Sequence, residues 1–446
     1  MENQNRRNFL KSAGVAAAAA VAAPLVRPAW SQSSPNDTIR IAVVGLRSRG
    51  ESHYSEWCKI PNVEVATFCD VDERLFPQHL AAIEKLGAKK PKTEVDIRRV
   101  LEDKTIDAIS VASPDHWHAL ATLWACQAGK DVYVEKPTCH NISEGRRMVE
   151  AARKYNRVVQ AGMQNRSNTN VRAAMKFLHE GGIGDVYMAK GLCFKPRESI
   201  GRKPDSPVPA GVHYDLWLGP APNRPFNENR FHYNWHWFWD YGCTDLGNQG
   251  PHQMDIARWG MNREDYPARV HCAGGYFAFD SDQETPNMQM ATLEFADGKI
   301  LQFEVRGLYT NNEDGITIGN LFYGSKGWMH LNGSTWKTYF GRRNQPGPGM
   351  DSKSGAADPM NLRGTGDTPH FKNFTDAMRS RKMSDLAAEI EIGHRSTAYC
   401  HLANIANRLK RQLQFDTKTE RFINDAQADA LLTRQYRKPF VVPDKV

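Results

Sequence analysis

Gly45, Arg47, Ser48, Arg49 and Gly50 make a glycine-bracketed turn directly after the apolar run from Ile39 to Val44. A strand, a glycine turn and a helix in that order can cradle a dinucleotide, whose pyrophosphate rests on the helix N-terminus. The usual fingerprint GxGxxG reads here Gly45-x-Arg47-x-x-Gly50, so arginine replaces the middle glycine that lets backbone approach the pyrophosphate. Backbone N–H groups still favour phosphate at this place, and Arg47 or Arg49 adds positive charge. Asp70 ends the next apolar run, 20 residues beyond Gly50. That is the distance at which an acid accepts from a ribose 2′-hydroxyl. The same acid repels a 2′-phosphate, so the pair of signals favours NAD over NADP.

The elements that must position these residues alternate. Apolar runs at 39–44, 63–69, 108–112, 131–134 and 158–162 read as strands. Stretches from Glu51, up to Leu86, from His116 to Ala128 and from Ser143 to Tyr155 read as helices. Strands alternating with helices of this length imply parallel βαβ units. Ligands in such sheets bind beyond the strand C-termini. Gly45, Asp70, Ser113, Lys136 and Gln164 all fall there. The expected fold class is therefore α/β, with a doubly wound parallel sheet at 37–161 and a second domain at 162–446. Alternating stretches at 288–294 and 300–305 predict strands in that second domain, and 371–379 and 390–413 predict helices.

At Glu135-Lys136-Pro137 the pattern becomes that of a known family. The chain resembles the Gfo/Idh/MocA sugar oxidoreductases. The resemblance rests on AVVGLRSRG, the strand-end Asp70, Ser113-Pro114-x-x-x-His118, Glu135-Lys136-Pro137 and Gly250-x-His252-x-x-Asp255-x-x-Arg258-Trp259. It runs from about residue 38 to the C-terminus. It implies a Rossmann domain followed by an α/β domain with a large open, mostly antiparallel sheet that serves substrate binding and oligomer contacts. A homo-oligomer is thus expected. It also implies that Lys136 lies beside the nicotinamide and the substrate hydroxyl, and that His252 is the catalytic histidine. Relatives carry an acid four residues before that histidine, where this chain has Asn248, and Asp245 lies three residues earlier. Either Asp245 takes over that role or the role is absent. Ser113, Pro114, His116, His118, Glu135 and Gln164 join the glycine turn and Asp70 as candidate cofactor contacts.

These residue types suit hydride transfer from a sugar carbon. A histidine near neutral pKa accepts the hydroxyl proton, and a lysine ammonium stabilises the developing alkoxide. Residues 231–240, FHYNWHWFWD, form an aromatic run just before Asp245. Its rings would stack on sugar faces, or else pack a core or an oligomer interface. Arg166, Trp235, His236 and Trp237 are the candidate substrate contacts. His232, His236, Asp245 and His252 could also be arranged as a metal site, but they show no firm ligand spacing, and no metal is expected. The 215–222 stretch reads as a turn-rich insertion with a structural role. Residues 345–368, rich in Gly, Pro, Ser and Asp, read as a long surface loop, either a lid or a plain connection.

Composition bounds the remaining classes. With 446 residues, 40% hydrophobic and 24% charged, the chain is neither wholly disordered, fibrous nor polytopic in a membrane. The formal charge of +8 comes partly from the N-terminus, and no basic block elsewhere suggests nucleic acid. Arg6-Arg7 followed by Phe9-Leu10-Lys11 and an alanine-rich run to Val26 resembles a twin-arginine export signal. The expected signal is 1–31, the mature chain carries no membrane span, and the protein works in the periplasm or is otherwise exported. Eight cysteines without a CxxC pair or zinc spacing read mostly as buried thiols. The leading expectation is an exported NAD-dependent oxidoreductase with a tightly held cofactor, acting on a sugar or glycoside. The alternatives are a redox glycoside hydrolase, a subgroup that resembles the family but lacks the lysine of Glu-Lys-Pro, and a non-catalytic sugar-binding protein.

Overall fold

The computed structural model describes residues 37–350, Ser334 excepted, and 366–446. The expected signal at 1–31 and residues 351–365 of the expected loop lie outside the described residues. No helix among the described residues is long and apolar enough to cross a membrane.

Six parallel strands form the first sheet, in the order β3-β2-β1-β4-β5-β6. They are β1 (Ile39–Val44), β2 (Val63–Cys69), β3 (Lys92–Glu94), β4 (Ala108–Val111), β5 (Asp131–Val134) and β6 (Val159–Ala161). The order reverses between β1 and β4, which places a crevice at their C-terminal ends. β4 and β5 are buried at every position, as expected of parallel strands covered on both faces. β3 is a strand that the sequence reading missed: it has no apolar run, and its exposed Lys92 and Thr93 suit a sheet edge. The Ile97–Glu102 helix was missed as well. Its length of 6 residues is too short for periodicity to register.

Ten strands form the second sheet, in the order β14-β13-β12-β11-β7-β10-β9-β8-β15-β16. In chain order they are β7 (Val186–Cys193), β8 (Arg269–Gly275), β9 (Met288–Glu294), β10 (Ile300–Arg306), β11 (Ile318–Gly324), β12 (Gly327–Asn332), β13 (Thr335–Phe340), β14 (Gln345–Met350), β15 (Leu413–Asp416) and β16 (Arg421–Phe422). Only β7 and β10 pair in parallel. One face carries Ala189, Ala291, Leu293, Leu301 and Phe303 into the core beneath the helices Gly250–Gly260 and Ile390–Leu409. The first six residues of the expected surface loop are instead the edge strand β14, held against β13.

The Ile390–Leu409 helix joins the two sheets. It is buried over most of its circumference, as a helix enclosed on all sides must be. It packs on β8, on β6 and on the Ile142–Lys154 helix. Thr138 donates its N–H to the Thr397 hydroxyl at 3.2 Å, and Arg146 pairs with Glu391 at 2.9 Å. The Thr368–Ser380 helix returns to the first sheet, where Phe371 stacks on Tyr133 with ring centroids 4.5 Å apart. Phe440 and Val442 are buried in the cluster that holds Trp117.

Candidate active site

The crevice beyond β1, β4 and β5 is a cavity of about 520 Å³, within the usual range for a ligand site. Its wall includes Gly45, Arg47, Ser48, Arg49, Asp70, Ser113, Pro114, His118, Glu135, Lys136 and Gln164 from the first sheet's strand ends and loops. Trp235, His236, Asn248 and His252 complete it from the other side. Fifteen of the candidate residues therefore meet on one wall, and Gly50, His116, Arg166, Trp237 and Asp245 do not.

The glycines have steric reasons. Gly45 has φ +85°, and a Cβ there would lie 2.8 Å from the Ala112 carbonyl oxygen. A Cβ on Gly50 would lie 1.9 Å from the Gly45 carbonyl oxygen, so the Arg49–Trp57 helix can sit this close only with glycine. Gly50 thus shapes the cavity from behind. Arg47 is exposed on the wall and has no ion pair among the described residues. Arg49 is different: it bonds Glu135 at 2.8 Å and Asp367 at 2.6 Å. Its charge is already matched, which corrects the expectation that it adds free charge for phosphate. Asp70 accepts the N–H groups of Leu46 at 2.8 Å and Asp72 at 3.0 Å. Burial pushes its carboxyl up to about 6. Each oxygen keeps acceptor capacity for a ribose hydroxyl. The tight glycine turn, the helix start on the wall, Asp70 and the partnerless buried Ser113 hydroxyl fit a dinucleotide.

Glu135 is the hub behind Lys136. One of its oxygens meets Arg49, His53 at 3.1 Å and Gln164 at 2.9 Å. Burial alone would raise its carboxyl, but Arg49 and His53 outweigh burial and hold it well below the ordinary value. His118 bridges the ends of β4 and β5, 2.6 Å from the Pro137 carbonyl and 2.8 Å from that of Ser113. It fixes the loop that carries Lys136.

Lys136 Nζ donates to the Asn248 backbone carbonyl at 2.7 Å and to its side-chain oxygen at 3.1 Å. Burial lowers its pKa, partly offset by Glu135 and Asp115. An ammonium has three donors, so one N–H remains. His252 lines the cavity with neither ring nitrogen bonded, and its Nδ1 is buried. Burial, and then the Lys136 charge, lower its pKa to about 3, so the ring is neutral, and a weaker base than the near-neutral histidine that the sequence suggests. Asn248, in the place of the family acid, is a neutral acceptor for Lys136.

Asp245 does not replace that acid. Arg197 grips both its oxygens, at 2.6 Å and 2.9 Å, and it reaches the cavity only through the Asn248 amide at 3.4 Å. Arg166 is no substrate contact either: it bonds Asp255 at 2.7 Å and 2.9 Å and lies over Trp259. His116 is buried and meets the Trp217 carbonyl at 2.9 Å, holding the 215–222 segment against the Rossmann sheet. Trp237 belongs to the buried aromatic cluster with Tyr214, Trp217 and Phe231. The aromatic run is thus divided. Part is core, while Trp235 and His236, stacked with centroids 3.6 Å apart, face the cavity.

The wall also takes in Tyr233 of the aromatic run, and Asp115, Trp117, Lys195, Gln249 and Asp367, which the sequence reading passed over. Asp115 directly follows Ser113-Pro114, a signal that was available. Asp367 and Lys195 lie in no motif. Among the described residues no three His, Cys, Asp or Glu side chains are placed to hold a metal ion. All eight cysteines are free thiols, seven of them buried.

Residues 39–163 match the family described as "Oxidoreductase family, NAD-binding Rossmann fold". Residues 191–312 and 360–442 match its "C-terminal alpha/beta domain". The chain belongs to the Gfo/Idh/MocA oxidoreductase family and carries its NAD-binding domain. Residues 3–23 match the twin-arginine translocation signal, which directs export by that route. Among curated relatives, a glycosyl hydrolase family 109 protein of Shewanella baltica is 28% identical over 172 residues, 34% of this chain and 38% of that protein. The chain thus spans well under half the length of such relatives. Among solved structures, an oxidoreductase domain protein from Kribbella flavida aligns with TM-score 0.64 at 20% identity, covering 84% of this chain and 99% of that one. The WlbA dehydrogenase from Bordetella pertussis, solved with NADH and UDP-GlcNAcA, aligns with TM-score 0.63 at 19% identity, covering 85% and 99%.

Proposed function

We propose that the protein is an exported NAD-dependent oxidoreductase that transfers hydride between a hydroxyl-bearing carbon of a sugar or glycoside and a tightly held cofactor. The carrying observation is the pairing on one wall of Lys136, with one N–H to give, and His252, neutral and unbonded. When bound, NAD would supply the hydride acceptor at nicotinamide C4. Lys136 Nζ donates to the substrate oxygen and stabilises negative charge as the O–H breaks. Asn248 holds that ammonium in place through two acceptors. His252 takes the hydroxyl proton at Nε2, the ring nitrogen not buried against protein. Trp235 and His236 offer a stacked face for the sugar ring. Arg47 and the start of the Arg49–Trp57 helix would hold the pyrophosphate, and Asp70 the adenosine ribose.

The site of action is the periplasm, where free NAD is scarce, so the cofactor travels with the folded enzyme and is recycled by a second sugar. The chain self-associates through the outer face of its open sheet, where Met188, Met290 and Ile300 stand opposite the core side. Sedimentation of the purified protein tests that. The similarity to a glycosyl hydrolase family 109 protein favours a second reading, oxidation followed by elimination and re-reduction of a glycoside. Lys136 favours the first.

The test is Lys136→Gln. Its kcat should fall by about a hundredfold or more, while the NAD released on denaturation, identified by mass spectrometry, stays stoichiometric. A chromogenic glycoside distinguishes the readings: free aglycone without net NADH supports hydrolysis. If neither a sugar pair nor added NAD supports any turnover, the oxidoreductase reading fails.

A further inference from the structure

Lys195 follows β7 and lines the cavity opposite the Rossmann strand ends. It is half-buried, and among the described residues it has no ion pair or hydrogen-bond partner. Two residues on, Arg197 is fully matched by Asp245 and Tyr233. An unpaired ammonium on a cavity wall offers its charge to an anion that the cavity takes.

Most of the acids on the same wall are already engaged elsewhere. Glu135 and Asp367 serve Arg49. Asp96 is bonded by Arg98 at 2.6 Å. Asp70 stands at the ribose end. Asp115 is buried with one carboxylate oxygen unpartnered, and burial raises its carboxyl despite Lys136. Asn248 stands where relatives carry an acid, which removes one further negative charge beside Lys136. The cavity wall therefore holds two ammonium groups, Lys136 and Lys195, and among the described residues none of its acids pairs with Lys195. Lys136 has its task at the reacting hydroxyl, which leaves Lys195 for another part of the substrate.

We infer that the substrate is an anionic sugar, bearing a carboxylate or a phosphate, and that Lys195 is the specificity residue that binds this group. The inference rests on the sugar-oxidoreductase reading and narrows its substrate class. A bound anion would give Lys195 the counter-charge it lacks. It would also turn the ring so that a hydroxyl away from the acidic group meets Lys136 and His252.

Calorimetric titration of the NAD-loaded protein with D-glucuronate, D-glucose 6-phosphate and D-glucose tests this. At least one acidic sugar should bind about tenfold or more tightly than glucose, the order expected of one charge-assisted contact. Added salt should weaken that preference. Tighter binding of glucuronate identifies a carboxylate ligand, and tighter binding of glucose 6-phosphate a phosphate ligand. Lys195→Met should abolish the preference while NAD binding and glucose binding stay as in the parent, and Lys195→Arg should keep most of it. Glucose binding as tightly as both acids, a preference that survives in Lys195→Met, or no sugar binding to NAD-loaded protein each overturns the inference. Turnover of a neutral sugar with NADH formation would then leave the oxidoreductase reading standing. Loss of both turnover and NAD binding would remove that reading as well.

Discussion

In the proposed site, Asp70 ties cofactor binding to pH. Its carboxyl is raised by burial to about 6 in the folded protein, against about 3.9 in an unfolded chain. The folded state therefore holds the proton more tightly across that interval. Stability contributed by this group is greatest at low pH and falls as pH rises from about 4 to about 6. A ribose hydroxyl is accepted best by the ionised form, so NAD affinity runs the other way. NAD should bind more tightly as pH rises from about 5 to about 7, with a midpoint near 6. Fluorescence titration across that range checks it. Asp70→Asn should flatten the profile, weaken NAD binding and raise the melting temperature of NAD-free protein above pH 7. A wild-type profile without a step between those limits would contradict the assignment. His252 gives no step there, because it stays neutral down to about pH 3.

At the scale of elements, the cofactor wall depends on how closely a helix approaches a strand end. The Arg49–Trp57 helix lies so near the end of β1 that a Cβ on Gly50 would overlap the Gly45 carbonyl at 1.9 Å. The obstacle is backbone, which cannot swing aside as a side chain does. Gly50→Ala should push the helix outward, costing about 1–3 kcal/mol as other overpacked sites do. It should displace Ser48 and Arg49 from the wall as well. The measurable outcome is NAD affinity down by tenfold or more with a lower melting temperature. A control at Gly87, where an added Cβ meets nothing within 4 Å but φ is +78°, should lose some stability through backbone strain and leave NAD binding intact.

Across the whole molecule, residues distant in sequence close the first sheet. Phe440, 2% exposed, meets Trp117 at 5.6 Å, and Trp117 lines the cavity. Phe371 stacks on Tyr133, and Asp367 holds Arg49. The Rossmann sheet is therefore finished by the last eighty or so residues, and its stability should not be separable from them. Phe440→Ala should cost about 3–5 kcal/mol. Thermal unfolding should show a single transition moved to lower temperature. Loss of an isolated early transition, with the main one unmoved, would show that the tail folds independently.

Much of this protein was legible in local sequence. Parallel strands buried on both faces are continuous apolar runs, so β1, β2, β4, β5 and β6 were readable to within a residue or two. Glycine turns and a strand-end acid obey fixed spacings because pyrophosphate and ribose have fixed sizes, which is why Gly45, Gly50 and Asp70 could be named. Lys136 and His252 came from a resemblance that local pattern supports. Partnership was not legible. Arg49, Arg166 and Asp245 are charged residues of the kinds that bind ligands, yet each is matched by a side chain 48 to 318 residues away. The aromatic run could not be divided into core and wall, because burial depends on what packs over it from elsewhere in the chain. β3 and β14 carry no apolar pattern, since edge strands are specified by the neighbour that offers hydrogen bonds. Spacing along the chain carried the class of fold and the cofactor, and the resemblance pointed to Lys136 and His252 as the candidate reacting pair. Only the tertiary structure decided which charges are neutralised and which stand free, because the Coulomb energy between groups follows their distance in space.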